Sequence, residues 1–152
     1  MRTITIHPDQ RAADMIRNHH AVLVDRLRDL IGSLREADDA HFEKRRADLL
    51  DWLHSELVSQ AVGEEATFYR AAAVTESGRL LVGAMVSEHS VIRDFVQQID
   101  TTADRGEVVG WASALLRVLI SHVALENDFI LPLLVEDPGV DLAALVGELH
   151  DH

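Results

Sequence analysis

Apolar residues recur three and four positions apart along nearly the whole chain, the spacing of one helix face, and no stretch alternates as a half-buried strand does. The pattern predicts four long helices, over about 9–34, 40–73, from the VTESG turn to about 99, and over about 107–134. The charged turn READDA separates the first pair, DTTADRG the last pair, and EDPG stops the fourth helix, while Thr75 or Ser77 is placed to cap the third. A short last helix over about 142–149 is expected to pack outside, and the first few residues to be extended. Short connections make sequential helices antiparallel neighbours. The expected fold is therefore all-α, an up-down-up-down four-helix bundle with a short C-terminal helix, in a single domain over 1–152 with the bundle at about 9–134.

The stripes also repeat. His20, Leu23, Leu27 and Leu30 of the first helix match His89, Ile92, Val96 and Ile99 of the third at one constant offset. Leu49, Leu53, Leu57, Gln60, Glu64 and Phe68 of the second match Trp111, Leu115, Leu119, His122, Glu126 and Ile130 of the fourth at another. The chain reads as two related helical hairpins, with Gln60 the counterpart of His122.

Composition removes several classes of function. The absence of cysteine excludes disulfides, thiolate metal sites and cysteine nucleophiles. A formal charge of −12 repels phosphate backbones, so nucleic acid is not an expected partner. The start lacks the apolar core of a signal peptide, and no run approaches a membrane span, so a cytoplasmic protein without a membrane partner is expected, as a monomer or homodimer.

Six polar residues interrupt the core stripes: His20, Gln60, Glu64, His89, His122 and Glu126. Counted along the helices from one common end at about 1.5 Å per residue, they fall in one layer roughly 12–20 Å deep. A lone histidine on such a stripe is usually a satisfied core residue, and a lone glutamate is usually paired with a cation. Neither account covers the group, because no Lys or Arg stands in the core register at this height. Buried imidazoles and carboxylates satisfy one another best by sharing a metal. His122 and Glu126, one turn apart, can grip one centre. The ligand types suit iron, manganese or zinc and argue against copper(I), and carboxylates from facing helices can bridge two metals.

The segments HHAVLVDRL, ELVSQAVGEEATFY, EHSVIRDF and SHVALENDFILP, in that order, resemble the hemerythrin-like family, also called the HHE cation-binding domain. The resemblance covers about 9–134. It implies that His20, His89 and His122 are iron ligands and that Glu64 and Glu126 bridge two irons. Gln60 stands where the family pattern has histidine, and Met85 and Arg93 occupy the places one turn from His89 where oxygen-carrying relatives have another. Gln60 then offers a carbonyl oxygen, or leaves its place to water. Alternatively the half-site of His20, Gln60 and Glu64 is weakened, leaving His89, His122 and Glu126 as a mononuclear iron site, or the layer is a metal-free remnant.

Among the other histidines, His19 replaces His20 only if the first helix rotates, and His54 reads as a flank residue. His41 lies at the far end, and His7, His150 and His152 are terminal. Glu65 and Asp128 are expected to face solvent or to support a ligand from behind. The functions to weigh are an iron protein that activates oxygen or destroys peroxide, a module that binds or senses oxygen, nitric oxide or iron, and a metal-free interaction bundle. The 152 residues hold no cysteine, and no fused output domain is expected. Stress protection and gas binding therefore stand ahead of sensing with an output or repair of iron centres.

Overall fold

The computed structural model describes residues 7–150; the expected extended start and His152 lie outside them. The described residues are all-helical, with no strand. The helices are α1 (Pro8–Glu36), α2 (Phe42–Trp52), α3 (Ser59–Ala66), α4 (Phe68–Ala72), α5 (Glu76–Thr101), α6 (Arg105–Leu125), α7 (Leu131–Glu136) and α8 (Leu142–His150). Two π-helical stretches, Leu53–Val58 and Glu126–Ile130, join α2 to α3 and α6 to α7. The second and fourth expected helices are therefore each broken into pieces, while the first, third and last stay whole.

The turns are built as their residues suggest. Thr75, rather than Ser77, caps α5 by accepting from the Gly78 amide at 3.1 Å, and Asp104 caps α6 by accepting from Glu107 at 2.9 Å. Gly78 must be glycine, because a Cβ there would collide with the Ala72 carbonyl oxygen.

Each π stretch answers to a local cause. Steps of four residues drift about 40° around an α-helix, so Leu49, Leu53, Leu57 and Ala61 cannot all face the core without an extra residue taken into one turn. His122, Glu126, Ile130 and Leu134 run in the same steps. There Pro132 adds a second reason, having no N–H for the carbonyl one turn earlier and a ring that would press on it.

α1 packs on α2 and α6, and α5 packs on the same two. The interior holds two apolar clusters. One is built on Leu27, Leu49, Leu53, Ile99, Val108, Leu115 and their neighbours. The other is built on Ala13, Phe68, Met85, Leu131, Leu134 and Leu142. The buried polar residues His20, Glu64, His89, His122 and Glu126 belong to neither cluster. At the stripe ends Ile31 and Ala112 are buried where Leu30 and Trp111 were expected.

The helix from Arg105 to Glu136 is, by length and composition alone, apolar enough to cross a membrane, its most apolar 18-residue stretch having a mean hydropathy of 1.7. The sequence reading did not anticipate this. Its Val108, Ala112, Leu115 and Leu119 are spent inside the apolar core, packed with α1 and α5. α8 packs on α1 and α3, and the buried Asp9 carboxylate accepts from the Leu142 amide at 3.2 Å, pinning α8 to the first turn of α1.

Candidate metal centre

Five of the six polar stripe residues meet. His20 comes from α1, Glu64 from α3, His89 from α5, His122 from α6, and Glu126 from the π stretch that follows, each at most 5% exposed. Glu126 is the hub: its carboxylate lies 2.7 Å from His122 Nε2 and 3.0 Å from His20 Nε2, and accepts from the Tyr69 hydroxyl at 2.7 Å. Glu64 stands further off, 3.9 Å from His20 Nε2 and 3.9 Å from His89 Nε2. The Nε2 atoms of His89 and His122 are 3.0 Å apart.

Each inward-facing imidazole is held from behind through Nδ1. His89 donates to Glu65 at 2.8 Å, His122 to Glu88 at 2.6 Å, and His20 to the Asn127 side-chain oxygen at 2.7 Å. These contacts fix the tautomers and aim every Nε2 at the interior, the arrangement in which imidazoles bind metals. Glu65, Glu88 and Asn127 each adjoin a cluster residue in sequence and serve a histidine on another helix. A fourth contact has the same form: His19, next to His20, is hydrogen-bonded to Gln60 Oε1 at 2.6 Å.

Gln60 borders the same cavity but stands apart from the imidazole–carboxylate cluster. The π stretch before it gives the buried place to Ala61, and Gln60 sits half-buried at the rim with its amide tied to His19. Of the two adjacent histidines, His20 turns inward and His19 is exposed. Met85 belongs to an apolar cluster, and Arg93 lies 3.7 Å from Glu65. His54 and Asp128 are exposed, and His41 is paired with Asp38 at the surface.

Tyr69 was missed by the sequence reading. Thr67 breaks the helix with φ −121° and ψ −82°, its hydroxyl donating to the Gly63 carbonyl at 2.8 Å. The break turns Tyr69 inward, although five residues from Glu64 would place it off the stripe of an unbroken helix. The only signals available were that it is the sole tyrosine and stands beside the stripe residue Phe68.

Protons are distributed unevenly over the cluster. Burial and then the Glu126 charge push the Glu64 carboxyl up to about 8. Burial would raise Glu126 too, yet the His122 and His20 imidazoles set against it hold it well below the usual carboxylate range. Burial would lower His20 and His122, but Glu126 outweighs it, aided by Glu64 at the first and Glu88 at the second, raising them to about 10 and about 8. His89 is lowered by burial and by the neighbouring His122 charge, and the Tyr69 hydroxyl is raised by burial and the Glu126 charge. These opposed shifts mark one tightly coupled site rather than five separate core residues.

The donor set fits a cation. His20 Nε2 is fully buried and lies 3.0 Å from Glu126, but the approach is too poorly aligned for a hydrogen bond, so it has no hydrogen-bond partner. Ligand atoms of Glu64, His89, His122 and Glu126 all lie within 4.8 Å of one another. They border a cavity with about 20 Å³ of room, the scale of a single small guest. Nitrogen and carboxylate donors without sulfur suit iron, manganese or zinc.

The profile of the Hemerythrin HHE cation binding domain matches residues 11–134. No curated protein and no solved structure matches the chain.

Proposed function

We propose, for a chain that belongs to the hemerythrin HHE cation-binding family, that it holds non-heme iron and uses it to bind or react with oxygen, nitric oxide or peroxide in oxidative or nitrosative stress. His20, His89 and His122 would be the nitrogen ligands, and Glu64 and Glu126, whose carboxylates both approach His20 and reach His89 and His122 respectively, would bridge two irons. In this reading the four long helical segments form an up-down-up-down bundle around the site, supported by the packing of α1 and α5 each on α2 and α6.

The observation that carries the reading is the fully buried His20 Nε2, which has no hydrogen-bond partner and is aimed with two other back-tied imidazoles at two carboxylates. Iron bound there would supply a change of oxidation state and open positions for a small ligand. The chain's own residues do the rest. Glu65, Glu88 and Asn127 keep the imidazoles oriented, and Tyr69 holds Glu126 and offers a proton donor within 3.3 Å of two of them. Leu23, Leu57, Ile92 and Leu119 line the remaining wall and limit water.

One observation favours a one-iron form of the same reading: Glu64, His89, His122 and Glu126 make a tight group by themselves, while the His20 side has no second imidazole because Gln60 is held by His19. Metal analysis after anaerobic loading with iron(II) separates the two. Two irons per chain are expected; one supports the smaller site, and none overturns the proposal. An optical change in air that reverses under vacuum marks a carrier, whereas oxygen release from added peroxide marks a catalyst.

A further inference from the structure

A second pocket adjoins the metal centre on the side of α8. It has about 240 Å³ of room, apolar walls from Met15, Val146 and Leu149, and a polar side made by His19, Gln60 and His150. Gln60 is the one residue that lines both this pocket and the inner cavity. Gln60 therefore stands on the boundary between the two spaces, its side chain held by one hydrogen bond to His19. Of the four contacts that tie neighbouring helices around the centre, the other three each hold a buried imidazole, while His19 is exposed and its bond competes with water. The pocket's outer wall, α8, lies beyond the residues that match the family and is pinned by Asp9.

We propose that this pocket is the loading vestibule through which a divalent cation reaches the buried ligands, and that Gln60 is the residue that opens and closes the passage. The proposal rests on the metal-binding reading above. A divalent ion must exchange its water shell before it enters a space with room for one small guest. Two imidazoles and an amide oxygen at the threshold are groups that can take the places of those waters in turn. A neutral gas would need none of them. The net charge of −12 draws cations toward the molecule as a whole. Rotation of Gln60 away from His19 would join the vestibule to the cavity.

The absence of cysteine allows a direct test. Met15, 62% exposed at the vestibule wall, is changed to Cys and coupled to a bulky maleimide; Val74, 81% exposed and not part of the wall, is treated alike as the control. Cobalt(II) uptake by the full chain is followed by its visible absorption. The expected result is uptake slowed at least several-fold by the label at Met15→Cys alone, with the final spectrum and cobalt count unchanged. Gln60→Ala should speed uptake several-fold, again with the spectrum unchanged. Equal rates in the two labelled proteins would overturn the vestibule, and an altered cobalt spectrum in Gln60→Ala would make Gln60 a ligand instead of a gate. Failure of the unlabelled protein to take up cobalt would overturn the metal-site reading, and the vestibule with it.

Discussion

The segment from Phe42 to Ala72 and the segment from Arg105 to Glu136 carry core residues at matching offsets, yet they deliver different chemistry to the centre. In the later segment the π stretch begins at Glu126, after His122, so both side chains stay in register and reach the cluster. In the earlier one the π stretch ends at Val58, before Gln60, so Ala61 takes the inward place and Gln60 turns to His19. Where a helix takes in its extra residue decides which side chains it presents. The two glutamates differ in consequence: Glu126 lies 2.7 Å from His122 and 3.0 Å from His20 and accepts from Tyr69, while His20 and His89 both stand 3.9 Å from Glu64.

The largest effect should come from removing the hub. Glu126→Gln is expected to abolish iron retention, a greater loss than the roughly 10–100-fold typical of an outer partner, as read by metal content after gel filtration. Urea denaturation of the metal-free protein sharpens the contrast. There Glu126→Gln should cost about 2–4 kcal/mol, because two buried imidazoles lose their carboxylate. Glu64→Gln should cost less than about 1 kcal/mol, since a neutral amide replaces a carboxyl already pushed toward its neutral form. Equal costs would erase the distinction drawn between the two segments.

Next in size, Glu88→Gln should weaken iron binding roughly 10–100-fold while the fold persists, measured by competition with a chelator; unchanged affinity would remove Glu88 from the site. Tyr69→Phe should lower metal-free stability by about 1–2 kcal/mol through the lost bond to Glu126 and leave the iron count intact. Smallest of all, Gln60→His should leave the iron count of the parent chain unchanged, because the backbone phase, not the side-chain type, keeps position 60 at the rim. A gained iron would show the opposite and break the comparison.

The helices and the height of the polar layer were legible because burial writes a stripe along each helix, and His20, Glu64, His89, His122 and Glu126 all lie on it. Gln60 was misplaced because a four-residue step can be read either as drift or as the sign of a π stretch, and neither Leu53 nor Val58 announces which. Tyr69 was hidden by the break at Thr67, whose hydroxyl competes for a backbone carbonyl in a way that depends on tertiary packing. Glu65, Glu88 and Asn127 sit one residue off the stripe. About 100° of rotation sends each toward a neighbouring helix, and which neighbour it meets is a property of the assembled structure.

The contacts Glu65–His89, Glu88–His122, Asn127–His20 and His19–Gln60 pass from α3 to α5, to α6, to α1 and back to α3. They form a hoop, like the band around a cask. Each stave is clasped to the next at the height of the centre, so no helix can slacken there without undoing a clasp. Three clasps are tied to the imidazoles that define the centre. The fourth is not, and the cask can be opened at that seam while the other staves stay bound.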